Sequence, residues 1–348
     1  MVPLLSASVD TAQTSTLLVS LALLVGGLAL LLVGAHFLVD RATAVAQRLG
    51  VSPLAIGLTV IAFGTSAPEL ALNVVAAASS EAGAKLAFGN VIGSNIANIG
   101  LVLALACIVH PIVAHRSIRY VYYPLLVATE ILLLVLAGGT DNVTAVDAII
   151  LLASLPVALF VLQWAARKHA HQTEEIQAPS ETSTTWNAAG ILALGLVMLI
   201  AGAKLAEMGA IDIARKAGLS EAIIGLTVVA VATSLPESFA AIIAARRRQF
   251  DLAMGTVIGS NLFNILSVLA ITALVRPVPI PLVVGWELLI IMFVFTLAIG
   301  VIYIKQLIGR SSVDAARGVT LGRLWGGLML AAWIGTMIWY VWNGEQAS

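Results

Sequence analysis

The chain has 348 residues, of which 60% are hydrophobic and only 10% charged, with 18 Lys and Arg balancing 18 Asp and Glu and a mean hydropathy of +1.03. Soluble domains carry about 25% charged residues, so this composition makes the lipid bilayer the solvent and excludes a water-soluble fold. Zero net charge, with no basic run longer than Arg246-Arg247-Arg248, gives no sign of a nucleic-acid partner.

In chain order, apolar segments predict ten membrane-crossing helices, each needing about 20 residues to cross about 30 Å of hydrocarbon. The first five cover 17–38, 53–78, 86–109, 121–138 and 145–165. A polar stretch from Arg167 to Asn187 follows, without apolar periodicity, and reads as a cytosolic linker. The second five cover 187–207, 221–245, 252–275, 282–303 and 324–342. The segment Thr16–Val39 lacks a basic front edge and a small-residue cleavage signature, so it reads as a retained helix, not a signal peptide. A β-barrel is excluded because Ser20–Val39 is apolar almost throughout, where barrel strands alternate. With loops on alternate sides, one set holds 13 of the 18 Lys and Arg, which predicts a cytoplasmic location for that set and both termini outside. The single cysteine, Cys107, excludes an internal disulfide framework.

The chain repeats itself. GAHFLVDRATAVAQRLGVSPLAIGLTV from Gly34 recurs as GAKLAEMGAIDIARKAGLSEAIIGLTV from Gly202, an offset of 168 that holds through GTSAPE (Gly64–Glu69) and ATSLPE (Ala232–Glu237). The offset falls to 166 for GNVIGSNIANI from Gly89 and GTVIGSNLFNI from Gly255. The predicted fold is therefore all-α and polytopic, with ten transmembrane helices as two five-helix repeats at 1–166 and 187–348 joined by a linker at 167–186. Five is odd, so the second copy enters the membrane from the opposite side, and inverted repeats are a signature of secondary transporters.

Burying a carboxylate in a membrane costs several kcal/mol, so Glu69 and Glu237 at matching places in both repeats require an account. Each follows a proline, Pro68 or Pro236, which withholds an amide hydrogen and frees the carbonyl four residues back. Such oxygens are tolerated at membrane depth where they line a polar cavity. Thr65 and Glu69, and Thr233 and Glu237, are four residues apart; Ser66 and Ser234 precede the acids by three, so hydroxyls and carboxylate share a face. Ser94 with Asn98, and Ser260 with Asn264, repeat the four-residue spacing in the following helices. The set is all oxygen, which suits a hard cation such as Ca2+ or Na+; zinc or copper would want nitrogen or sulfur.

Other polar residues have plainer readings. Gly89 with Gly93, and Gly255 with Gly259, suit close helix approach. Glu130 and Glu287 each lie six after a proline and read as structural or interfacial. Asp40, Lys204 and Glu207 fall near predicted helix ends and snorkel toward water. The five histidines show no ligand spacing, and Trp164, Trp186, Trp286, Trp325 and Trp342 near span ends read as an aromatic belt.

In its GTS-x-PE and GSN-x-x-N segments the chain resembles the calcium/cation antiporter superfamily, specifically its bacterial calcium/sodium exchanger branch. The resemblance implies a bacterial inner-membrane antiporter with a central cluster of cation sites. Glu69 and Glu237 would be shared ligands, flanked by Thr65, Thr233, Ser66, Ser234, Ser94, Ser260, Asn98 and Asn264, with backbone carbonyls around Ala62 and Ala230 completing the set. One departure is Asn264, where many members carry an aspartate, and it bears on stoichiometry. No resident cofactor is expected: Ca2+ and Na+ bind as substrates. Exchange of Ca2+ for H+ on the same fold is the nearest alternative, K+ dependence is a further variant, and a cation channel is more distant because mirrored repeats suit alternating access. With no Ser, His and Asp constellation and no HExxH pair, no enzymatic activity is expected.

Overall fold

The computed structural model describes residues 3–49, 51, 53–114, 117–169, 185–218, 230–280, 284–301 and 319–346. Much of the linker and the first part of the span expected at 221–245 lie outside the described residues, as do His115, His171 and residues 302–318. Helix α1 (Pro3–Arg48) leads into α2 (Pro53–Ile56), a π segment π1 (Gly57–Ile61) and α3 (Ala62–Ser79). Next come α4 (Glu81–Ala97), π2 (Asn98–Leu103) and α5 (Ala104–Val109), then π3 (Ile118–Tyr122), α6 (Tyr123–Ala137) and α7 (Ala145–His169). The second half contains α8 (Thr185–Lys216), α9 (Ala230–Thr233), α10 (Leu235–Arg246), α11 (Phe250–Phe263), π4 (Asn264–Leu269), α12 (Ala270–Val275), α13 (Val284–Ile299) and α14 (Arg323–Gln346). Among the described residues, seven helical stretches are long and apolar enough to cross a membrane, and Gly285–Ile299 is a shorter apolar helix.

Two helices run beyond their expected ends. The stretch ATAVAQR that extends α1 contains no proline or glycine, and the extension of α8 past residue 207 passes through Gly209 into the helix formers of IDIARK with no proline, so the backbone ladder continues. Asp40, Lys204 and Glu207 therefore sit inside helices. Asp40 pairs with Arg247 beyond α10, and Lys204 pairs with Glu207 one turn on at 2.8 Å. Ser20 of α1 donates to Asp212 of α8, to which Lys216 also donates at 2.5 Å.

Helices α1 and α8 lie antiparallel along a glycine seam. A Cβ on Gly27 would fall 2.6 Å from the carbonyl oxygen of Gly202, and one on Gly34 would fall 2.8 Å from that of Gly195. The reverse contacts, Gly195 to Gly34 and Gly202 to Gly27, are both 2.8 Å. Real Cβ atoms do not approach backbone so closely, so only glycine lets these backbones meet, the small-residue packing that helices use in lipid.

The most buried spans are α11 to α12 and α4 to α5. Helix α11 packs on α2, π1 and α3, and Gly255 and Gly259 permit this: their Cβ atoms would each fall 2.8 Å from a backbone oxygen, of Leu54 and Leu58 respectively. Gly89 and Gly93 meet nothing within 4 Å among the described residues. Two short antiparallel strand pairs add to the helices: β1 (Ile112–Ala114) with β4 (Val319–Leu321), and β2 (Asn142–Val143) with β3 (Val278–Pro279). Each pair joins one half of the chain to the other. Trp164, Trp186 and Trp342 are exposed as a belt requires; Trp325 is instead buried, donating through Nε1 to the Ala298 carbonyl at 3.0 Å.

Candidate functional site

The helical ladder is irregular at or just before each acidic motif. In the second half it breaks at Ser234, between α9 and α10, two residues before Pro236, which has no amide hydrogen to donate. Glu237 thus lies in the first turn of α10, where unpaired amide groups favour negative charge. In the first half α3 continues through Pro68, and the irregularity is the π segment just before it, Gly57–Ile61. Asn98 and Asn264 each occupy the first position of a π segment, π2 and π4. A π segment accommodates an extra residue within a helix and often marks a functional site.

The structure buries most of the expected ligands. Thr65, Ser66, Glu69, Ser94, Asn98, Ser234, Glu237, Ser260 and Asn264 are all buried, and Thr233 is half-buried. Glu69 and Glu237 are close enough for direct charge–charge interaction. The Thr65 hydroxyl lies 3.0 Å from the Ile61 carbonyl and 3.3 Å from that of Ala62, and within hydrogen-bonding reach of the Glu237 carboxylate. One hydroxyl proton cannot serve three acceptors, so the site is rich in oxygen lone pairs and poor in donors. Ala230 is the first described residue after 218, and its side chain lies outside the described residues.

Five of these residues carry a buried oxygen without a hydrogen-bond partner among the described residues: Ser66 Oγ, Glu69 Oε2, Glu237 Oε2, Ser260 Oγ and Asn264 Oδ1. Leaving one such group desolvated costs about 1–3 kcal/mol, more when it is charged. Other such atoms occur among the described residues, from Thr43 Oγ1 and Trp333 Nε1 to Asn73 Nδ2 and Ser238 Oγ next to the acidic motifs, but these five fall on the repeated motifs themselves. A hard cation offsets that cost by taking the oxygens as ligands. Among the described residues no group of three or more His, Cys, Asp and Glu side chains gathers, as a nitrogen or sulfur site would require.

Sequence spacing missed two features. Asn95 and Asn261, beside the chosen serines, are fully buried and bond across the two halves; their signal was simply that both GSN copies carry them. Glu130 is completely buried and accepts a 2.6 Å hydrogen bond from Thr296, so it is not interfacial. Glu287 is only partly buried and lines an open pocket with Ile290, Ile291 and Trp339, so the two acids do not share a depth. Glu130→Gln, which keeps an acceptor for Thr296, is expected to retain at least half of wild-type transport, whereas Glu130→Leu is expected to destabilise the protein by about 1–3 kcal/mol; uptake assays and thermal unfolding in detergent check the two.

An all-helical integral membrane protein with a buried oxygen cluster shared between its halves is of the cation-transporter class. The sequence model described as "Sodium/calcium exchanger protein" matches residues 19–164 and 187–342, and the chain belongs to that family of antiporters. It is 38% identical over 257 residues to "Putative antiporter CaxA" of Alkalimonas amylolytica, covering 72% of this chain and 79% of that protein. It is 32% identical over 336 residues to "Inner membrane protein YrbG" of Escherichia coli, covering 93% and 98%. Among solved structures it is similar to the sodium-calcium exchanger NCX_Mj soaked with Na+ and Sr2+, with a TM-score of 0.74, 28% identity and coverage of 92% and 99%.

Proposed function

We propose that the chain is a secondary antiporter of a bacterial inner membrane that exchanges Ca2+ for Na+ by alternating access. Its architecture is ten spans in two inverted five-helix repeats, 1–166 and 187–348, joined by a cytosolic linker at 167–186, with both termini outside. Support comes from reciprocity: the 168-residue repeat carries Gly27 onto Gly195 and Gly34 onto Gly202, so it exchanges the two contacting pairs, Gly27 with Gly202 and Gly34 with Gly195. The observation that carries the functional reading is the group of five unpartnered oxygens, two of them carboxylate, on the mirrored motifs.

Ca2+ takes six to eight oxygens at about 2.3–2.6 Å, and two carboxylates balance its charge. Glu69 and Glu237 bridge the cation; Thr65, Thr233, Ser66, Ser234, Ser94, Ser260, Asn98, Asn264 and the carbonyls near Ala62 and Ala230 complete the coordination for Ca2+ or Na+. Without a cation, two facing carboxylates are too costly to occlude from water, so occupancy permits the switch. The α1–α8 pair, fused along its glycine seam, then moves as a unit against the remaining helices. If three Na+ exchange for one Ca2+, one charge crosses per cycle, worth about 2.3 kcal/mol per 100 mV.

Radioactive calcium uptake into proteoliposomes under a sodium gradient, a pH gradient or neither tests the reading. Uptake is expected only with the sodium gradient. Uptake driven by the pH gradient alone would replace Na+ with H+, and uptake with neither would point to a channel.

A further inference from the structure

Four asparagines interlock across the two halves of the chain. Asn98 Nδ2 donates to Asn261 Oδ1 at 2.9 Å, and Asn264 Nδ2 donates to Asn95 Oδ1 at 3.0 Å. The inner pair also reaches the opposite main chain: Asn95 Nδ2 donates to the Asn261 carbonyl at 3.4 Å, and Asn261 Nδ2 to the Asn95 carbonyl at 3.3 Å. Asn95 and Asn261 are completely buried, and each is one residue past a serine in a GSN triplet.

This pattern fixes the orientation of all four amides. A main-chain carbonyl only accepts, so the group that Asn95 and Asn261 turn toward the opposite backbone is the NH2. Their Oδ1 atoms then face outward and accept. The groups opposite them, on Asn264 and Asn98, must be donors, so each of these residues presents NH2 to the inner pair and turns Oδ1 the other way. For Asn264 that oxygen is buried without a partner among the described residues, four residues beyond Ser260, whose own Oγ is likewise without one there. An amide free to flip would present NH2 to the same space about as readily, and NH2 repels a cation.

We propose that Asn95 and Asn261 are positioning residues that hold Asn264 and Asn98, respectively, with their carbonyl oxygens toward the cation, so that each half of the chain orients the amide ligand of the other. This rests on the reading above that Asn98 and Asn264 are cation ligands. The device also suits the amide this chain carries at 264. An ionised carboxylate there would set an acceptor against the Asn95 Oδ1, which the backbone bond to Asn261 prevents from turning away.

A double-mutant cycle on the full-length protein in detergent tests the proposal, with calcium as the titrant and calorimetry as the readout. Asn95→Leu, which keeps approximate volume while removing donor and acceptor, is expected to weaken calcium binding about tenfold, as is Asn264→Leu. The double variant is expected to bind no more weakly than Asn264→Leu alone, because an amide already lost cannot be misoriented. In proteoliposomes Asn95→Leu raises the calcium KM and leaves the maximal rate within twofold, a split that mere loss of folded protein does not produce. The mirrored cycle on Asn261 and Asn98 repeats the test should Asn95→Leu not fold. Fully additive losses in either cycle, or unchanged binding in Asn95→Leu beside weakened binding in Asn264→Leu, would overturn the proposal. So would failure of both Asn95→Leu and Asn261→Leu to fold, which would make the amides a folding element. Calcium binding that survives Glu69→Gln together with Glu237→Gln would instead overturn the site reading on which the proposal stands.

Discussion

Glu69→Gln is expected to lower calcium uptake into proteoliposomes at least about a hundredfold, and Glu237→Gln to do the same. The change is nearly isosteric, so packing in α3 and α10 survives. What is lost is one of two buried carboxylates near enough to interact by charge. Removing one partner of a buried charge set costs about 3–5 kcal/mol, which is more than a hundredfold in affinity. The variants should also be more thermally stable than wild type without added cations, since neutralising one carboxylate relieves its repulsion of the other. Greater stability with lost transport separates a ligand from a structural acid. Two variants that keep half or more of wild-type uptake would remove the assignment.

The second large effect is expected in the α1–α8 seam. Gly195→Leu places a side chain where even a Cβ would fall 2.7 Å from the Leu38 amide nitrogen and 2.8 Å from the Gly34 carbonyl oxygen. Neither contact is with a flexible side chain that could move aside, so the helices must part along the seam. Uptake is expected to fall at least tenfold, because the pair no longer moves as one body; overpacking of this kind also costs about 1–3 kcal/mol. Gly190→Leu, on the same helix but with nothing within 4 Å of its Cβ among the described residues, is the control and should transport normally. Equal effects at the two positions would mean that the seam has no special role.

The burial of Glu69 and Glu237 was legible because membrane spans amplify polar signals: a buried Glu is rare enough that two at matching places in a repeat stand out. Helix ends were less legible. Hydropathy marks where lipid stops, not where the backbone ladder stops, and α1 and α8 continue on ordinary helix formers past that point. The pairing of Asn95 with Asn264 and of Asn261 with Asn98 was not legible either. A four-residue stripe assigns residues to a face of their own helix, whereas these amides matter for what they touch on the opposite half. Likewise, Glu130 and Glu287 share a spacing from proline, but their depth is set by Thr296 in one case and an open pocket in the other.

Calorimetric titration of the purified protein with calcium, at low and high sodium, tests the central claim most directly. The account predicts saturable calcium binding that sodium competes away and that disappears when Glu69 and Glu237 are both replaced by glutamine. Binding indifferent to sodium, or undiminished in that double variant, would contradict it.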